Sequence, residues 1–275
     1  MYSRVYVEIT NLCNMRCSFC HGHSRPARQL TEAEYAHILK QLQGKTEYIY
    51  HHLMGEPLVH PLLPRFIEMA VAAGFRPMLT TNGTLLARFG GSLLGKGLHK
   101  VNISLHSFEG QSAFDHRAYL EQVAAFAEKA TEDGTIISLR LWNSGCDDGR
   151  NEDALALLKA LLPGQWKPNT RGYRIRDSLF LEWGDRFAWP DAAAPDYGTQ
   201  VACYGLRDHF GILSDGTVVP CCLDSDGTIA LGNVFTQDLG SILASPRAAA
   251  ICQGFRRRTA VEALCRHCGF AQTRL

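Results

Sequence analysis

The chain has 275 residues, 46% apolar and 20% charged. On a prior of roughly 150 residues per domain, that suffices for one large domain with a small appendage and a real core. Its 28 Lys and Arg against 27 Asp and Glu leave a formal net charge of +1, which gives no electrostatic case for nucleic acid or an anionic membrane surface. Arg256-Arg257-Arg258 reads as a solvated face. No apolar run approaches the roughly 18 residues of a membrane span. The first residues lack a signal-peptide layout, so a cytoplasmic protein with no membrane contact is expected.

In chain order, the alternation in RVYVEIT (4–10) marks a first strand. TEAEYAHILKQL (31–42) reads as a helix opened by a capping box, with Thr31 as N-cap and Glu34 at the third helical position. Further strands are expected at 47–53, 75–81, 100–106, 136–142 and 178–183. Helices are expected at 62–74, 119–134 and 151–164, each ending at a glycine. Strands alternating with helices imply parallel βαβ units, and six of them suit a partial, TIM-like (β/α)6 barrel of the α/β class. Function in such barrels sits on the loops after the strands' C-terminal ends.

Residues 184–202, rich in Pro, Asp, Gly and Ala, read as a linker. Beyond them HFGILSDGTVVPC (209–221) has a hairpin pattern with Asp215-Gly216 at its turn. A short strand (228–234) and a helical piece (239–255) follow. The expected domains are therefore 1–195, the barrel, and 196–275, a small hairpin-plus-helix unit.

Ten cysteines in a reducing compartment point to metal binding or catalysis rather than disulfides. They cluster: Cys13, Cys17 and Cys20 fall within eight positions, Cys146 stands alone, and the rest lie between 203 and 268. A structural zinc site wants four ligands, so three thiols on one loop suit a metal centre that keeps a coordination position free. A zinc knuckle completed by His21 or His23 is the plain alternative.

The C-x3-C-x2-C of VEITNLCNMRCSFCH (7–21) resembles the signature of the radical S-adenosylmethionine enzymes. In that family three cysteines hold three irons of a [4Fe-4S] cluster, and S-adenosylmethionine chelates the fourth. The resemblance implies that Phe19 packs near the adenine. LMGEPLVHP (53–61) is similar to the family's G-G-E-P motif, with Met54 in place of its first glycine. It implies that Gly55 and Glu56 bind the cosubstrate, Glu56 accepting from the ammonium group. Thr81-Asn82-Gly83 supports the register. Ser104, in VNISLHS, matches a position contacting the methionine end or ribose, and Arg117 one that reaches the carboxylate. His106 stands where an aspartate is common, which implies a different substrate. Arg140 and Asn143 end the fifth strand at the cleft or its rim, and Asn143 is a cosubstrate candidate.

Cys203, Cys221 and the pair Cys265/Cys268 resemble the auxiliary-cluster domain of the same superfamily, called SPASM, in its shortened "twitch" form. The ligands implied for one auxiliary [4Fe-4S] cluster are Cys203, Cys221, Cys265 and Cys268. Cys222 or Cys252 could replace Cys203, one iron could stay open, or the four could hold zinc. Arg207 and His209, beside the first ligand, are candidate substrate contacts with His106. The resemblance implies electrons from a flavodoxin- or ferredoxin-like donor, cleavage of S-adenosylmethionine to a 5′-deoxyadenosyl radical, and hydrogen abstraction. Oxidation or cross-linking of a small polar molecule or a peptide or protein residue would follow. A nucleic-acid-modifying radical enzyme and a non-catalytic iron–sulfur or zinc protein are the rival classes; the first would show a basic face, and neither it nor an added binding domain is visible.

Overall fold

The structure is a computed structural model and describes residues 1–108, 115–147 and 149–273. Five parallel strands come first: β1 (Arg4–Val7), β2 (Tyr48–Tyr50), β3 (Arg76–Thr81), β4 (Lys100–Ser104) and β5 (Ile136–Ser144). An antiparallel meander, β6 (Lys167–Asn169), β7 (Gly172–Arg176) and β8 (Leu179–Asp185), then returns β8 parallel to β5. The C-terminal strands are β9 (His209–Ile212), β10 (Thr217–Val219) and β11 (Gly232–Asn233). The helices are α1 (Glu32–Leu42), α2 (Leu63–Ala72), α3 (Leu86–Phe89), α4 (His116–Glu132), α5 (Arg150–Leu161), α6 (Leu239–Leu243), α7 (Pro246–Arg256), α8 (Ala263–Arg266) and α9 (Gly269–Gln272).

All eleven strands form one sheet in the order β11-β10-β9-β1-β2-β3-β4-β5-β8-β7-β6. Among the described residues its ends do not pair, so the barrel is partial, as expected. The expected hairpin unit is joined to the barrel through the backbone: β9 runs parallel to β1 from Arg4↔His209 to Val7↔Ile212. The helical piece 239–255 is two helices, because Pro246 cannot continue the first and Ser245 caps the second, its side chain accepting from Ala248 N. The β6–β7 hairpin was not anticipated, and the strand expected at 228–234 is reduced to Gly232–Asn233.

Alternation along the strands sorts the residues into two faces. Val5, Val7, Val101, Ile103, Ile137, Leu139, Leu141, Leu179 and Leu181 are fully buried on the outer face. The helices lie against that face, α1 through Tyr35, Ile38, Leu39 and Leu42 and α4 through Tyr119, Leu120, Val123 and Ala127. The capping box of α1 is formed: Thr31 Oγ1 accepts from Glu34 N (3.2 Å), and Glu34 Oε2 from Thr31 N (2.8 Å). Of the intervening residues on the inner face, Tyr6, Lys100, Ser104, Arg140 and Glu182 are half-buried, and Asn102 and Ser138 are fully buried. Apolar burial therefore fixes the barrel wall, at about 1.5–3 kcal/mol per large side chain, and leaves a polar lumen reached by solvent.

Candidate iron–sulfur and cosubstrate site

The three-cysteine loop leaves β1 at the barrel's C-terminal mouth. Asn11 closes its neck, donating from Nδ2 to Pro26 O (2.8 Å) and accepting from Arg28 N (2.8 Å). Cys13 and Cys20 are exposed and Cys17 is half-buried, its thiol 3.5 Å from Ser107 O. Burial, then Cys20 and Cys13, push the Cys17 thiol up to about 11. A thiol held neutral chiefly by burial, and next by its neighbouring thiols, suits a metal centre, whose positive charge stabilises the thiolate. Met15 N donates to Cys13 Sγ (3.4 Å). Of the knuckle histidines, His23 has Nε2 2.9 Å from Asn11 O and Nδ1 without a hydrogen-bond partner among the described residues, and His21 stacks on Trp189.

The loop after β2 is wedged against this one. Gly55 has φ +75°, and a Cβ there would lie 2.5 Å from Thr10 O and 2.8 Å from Leu12 O. Only glycine fits such an approach at that φ. Glu56 N then donates to Leu12 O (2.8 Å). The Glu56 carboxylate, 2% exposed, accepts from Thr81 Oγ1 (2.7 Å), Asn82 N (2.7 Å) and Leu58 N (3.0 Å). Burial outweighs these bonds and raises it to about 7, so an ammonium group beside it would favour its charged form. Asn82, read from sequence only as a register marker, donates from Nδ2 to Asn14 Oδ1 (3.0 Å) and so ties β3 to the cysteine loop.

The other sequence candidates divide. Phe19 packs on His106, ring centroids 4.9 Å apart. His106 Nδ1 lies 3.2 Å from Arg140 O and 3.3 Å from Trp142 N, and burial lowers its pKa to about 4, so it is neutral. Ser104 ends β4, level with Arg140. Arg117 is turned away: its side chain is exposed and pairs with Glu121 Oε1 (3.0 Å) along α4. Asn143 is fully buried in a reciprocal amide pair with Asn151 (3.1 and 3.0 Å), which fastens β5 to α5. Arg207 is exposed over the Tyr204 ring, and His209 packs edge-on against Tyr6.

At the C-terminal end, Cys203, Cys221, Cys265 and Cys268 line one cavity walled by apolar side chains such as Ile229, Phe255 and Leu264. Burial and the neighbouring Cys203 raise the thiols of Cys221, Cys265 and Cys268. Gly205 N donates to Cys203 Sγ (3.4 Å), the same two-residue N–H···S turn as at Cys13. Cys222 instead packs with Leu53, Met54, Leu213 and Val219, and Cys252, on α7, packs against the main core. Among the described residues, no three His, Cys, Asp or Glu groups converge tightly enough to hold one ion. A cubane differs in that each thiolate meets its own iron.

Sequence reading missed the link between the two centres. Glu8, fully buried at the end of β1, accepts from Arg25 (2.7 Å), Met54 N (3.1 Å), Ser214 N (3.1 Å) and Ser214 Oγ (2.8 Å). Arg25 Nε donates to Ser225 O (2.8 Å), Arg28 Nε to Ser214 O (2.6 Å), and Ser24 N to Asp226 Oδ1 (2.6 Å). The run 24–28 that follows the three cysteines is thus clamped to the segments flanking Cys221.

One cysteine set at the barrel's C-terminal mouth, beside a motif loop, and a second set in an apolar cavity next to the start of β9 and the end of β10 define a candidate two-centre metalloprotein. The Radical SAM superfamily model matches residues 7–141, and the iron–sulfur cluster-binding domain SPASM matches residues 203–269. The GTP 3′,8-cyclase 2 of Mycobacterium bovis is 33% identical over 227 residues, covering 76% of this chain and 58% of that protein. The GTP 3′,8-cyclase of Chlorobaculum tepidum is 32% identical over 126 residues, covering 44% and 38%. The chain spans between 33% and 58% of the length of these and similar curated relatives. Among solved structures, BtrN in complex with AdoMet and 2-DOIA superposes with TM-score 0.61 at 19% identity, over 98% of this chain and 93% of that one. SuiB of Streptococcus suis bound to S-adenosylmethionine gives 0.62 at 15%, over 91% and 68%; both show likeness of fold. The chain belongs to the radical SAM superfamily and carries a SPASM-type C-terminal domain. Its cofactors are [4Fe-4S] clusters and S-adenosylmethionine; radical SAM enzymes in general need a reductant and a substrate. Among the described residues no helix is long and apolar enough to cross a membrane.

Proposed function

We propose that the protein is a radical S-adenosylmethionine oxidoreductase acting on a small polar molecule or a peptide or protein residue. In this reading Cys13, Cys17 and Cys20 hold the first cluster, and Cys203, Cys221, Cys265 and Cys268 hold one auxiliary cluster. Together the bound groups supply hydrogen-atom abstraction from the substrate and acceptance of one electron, so the net change is an oxidation. Gly55 lets the motif loop close on the cysteine loop, and Glu56 orients the cosubstrate's amino group. Phe19 over His106 provides an apolar shelf for the adenine. Ser104 is half-buried at the end of β4, where it can meet the cosubstrate. Arg117 would need a different rotamer to do so. His106, Arg207 and His209 are the proposed substrate contacts, and a flavodoxin- or ferredoxin-like protein the proposed donor. The proposed domains divide near residue 195.

One observation carries the oxidative half: four cysteines share an apolar cavity whose loop is clamped to the first cysteine loop. The test is an iron count on anaerobically reconstituted protein. About eight irons per chain are expected, falling to about four for Cys203→Ala or Cys17→Ala and unchanged for Cys252→Ala. Zinc in the C-terminal set would overturn the oxidative role. The relatives named GTP 3′,8-cyclase favour a second reading, a radical rearrangement of a nucleotide. In that case GTP would raise 5′-deoxyadenosine formation.

A further inference from the structure

The lumen below the three-cysteine loop holds charged groups that the reading above leaves unused. On the inner faces of β4, β5 and β8, Lys100 Nζ lies 3.7 Å from Glu182 Oε1, and Arg140 Nε lies 3.4 Å from Glu182 Oε2. The Arg140 contact is an ion pair without a formed hydrogen bond, since buried Arg140 Nε has no hydrogen-bond partner among the described residues. Its guanidinium lies over the Trp142 ring, 4.4 Å from the centroid. The other charges nearby are balanced: Arg4 pairs with Asp208 (3.0 Å) and Glu8 with Arg25 (2.7 Å). One carboxylate thus serves two cations, and Arg171 adds to the positive field around it.

Three more buried polar atoms lie on the inner faces, one of them Ser138 Oγ on β5, level with Asn102. His52 Nδ1 has no hydrogen-bond partner among the described residues, its ring held edge-on by Tyr6 and Tyr50 at 5.6 and 5.3 Å. Asn102 gives Nδ2 to Leu79 O and Thr80 Oγ1 but leaves Oδ1 without a partner. Buried polar groups are nearly always satisfied, and each orphan calls for an explanation. An excess cation beside a spare acceptor and a spare imidazole nitrogen is what an anionic, hydroxylated ligand would complete. Lys100, Arg140 and Glu182 keep 21%, 16% and 19% of their side-chain surface exposed, beside fully dry neighbours on the outer face, so solvent reaches this edge of the lumen.

We infer that this lumen is the substrate subsite and that the substrate is a hydroxylated small molecule carrying a carboxylate or phosphate. The anion is held by Arg140 with Lys100, and a hydroxyl is read by Asn102. The inference rests on the proposed radical chemistry for its meaning but not for its test, which is equilibrium binding.

Calorimetric titration of the reconstituted two-cluster protein at low ionic strength would use glucose 6-phosphate, gluconate and neutral sorbitol. One anion site per chain is expected, with sorbitol binding at least about tenfold more weakly. Preference for glucose 6-phosphate marks a phosphoester substrate, and preference for gluconate a carboxylate. Arg140→Gln should weaken anion binding about tenfold. Glu182→Gln, which frees both cations, should tighten it by about threefold or more, a gain that misfolding cannot produce. Equal binding of sorbitol, no binding of either anion, or affinities that both variants leave unmoved would overturn the subsite. Cleavage of S-adenosylmethionine by the wild-type protein without any anion is a separate assay. A protein that cleaves but ignores anions loses only the subsite, and one that binds anions without cleaving loses the radical reading.

Discussion

Gly55 shows how much one residue can carry. Its φ of +75° and the 2.5 Å approach of Thr10 O leave no room for a side chain, and the peptide it frees bonds to Leu12, next to Cys13. Gly55→Ala is expected to cost about 3 kcal/mol or more and to move the cysteine loop. Thermal unfolding and iron content should both fall, with the C-terminal cluster retained. Gly55 and Glu56 were legible because a motif fixes them at a set place after a strand. Arg117 and Asn143 were legible as positions only. Which way each turns depends on Glu121 and Asn151, partners chosen by packing on α4 and α5 that no spacing records.

At the level of elements, the clamp between 24–28 and the auxiliary loop makes a sharper prediction. Removing Arg25 leaves Glu8 charged and fully buried, and breaking such a pair costs about 3–5 kcal/mol. Arg25→Met should therefore be strongly destabilised in anaerobic denaturant unfolding, and Glu8→Gln with Arg25→Met should recover part of the loss. If the single and double variants are equally unstable, the pair does not act as a unit. Helices α1, α2, α4 and α5 were legible because periodicity and caps are local. The β6–β7 hairpin was not, because its strands are short and one, Lys167–Asn169, is fully exposed, leaving no hydrophobic pattern. The joining of β9 to β1 was hidden too, being a pairing between residues about 200 positions apart, from Arg4 to His209.

For the whole molecule, buried histidines set an acid limit. His51 is fully buried, with Nε2 2.5 Å from Tyr35 Oη and Nδ1 3.3 Å from Met78 O. Burial lowers its pKa from 6.5 to about 4, as it does for His106. Below pH 6.5 the unfolded chain takes up protons that the native state refuses. The stability is thus complete above about 6.5 and is lost as pH falls toward 4, by roughly 3 kcal/mol for His51 over that span. Urea unfolding at pH 7 and 5 should show about 2 kcal/mol of this loss for His51, and His51→Gln should flatten the slope by about one proton. A slope unchanged by the substitution would assign the acid sensitivity elsewhere.

The most direct test of the account is anaerobic. The reconstituted protein is reduced, mixed with S-adenosylmethionine, and assayed for 5′-deoxyadenosine and methionine, beside Glu56→Gln and Cys17→Ala. Wild type should form both products in equal amounts, Glu56→Gln at least about tenfold less, and Cys17→Ala none. Failure of the wild type to cleave, with no change in the reduced cluster's electron paramagnetic resonance signal on adding S-adenosylmethionine, would contradict the assignment of Cys13, Cys17, Cys20 and Glu56 to one cosubstrate site.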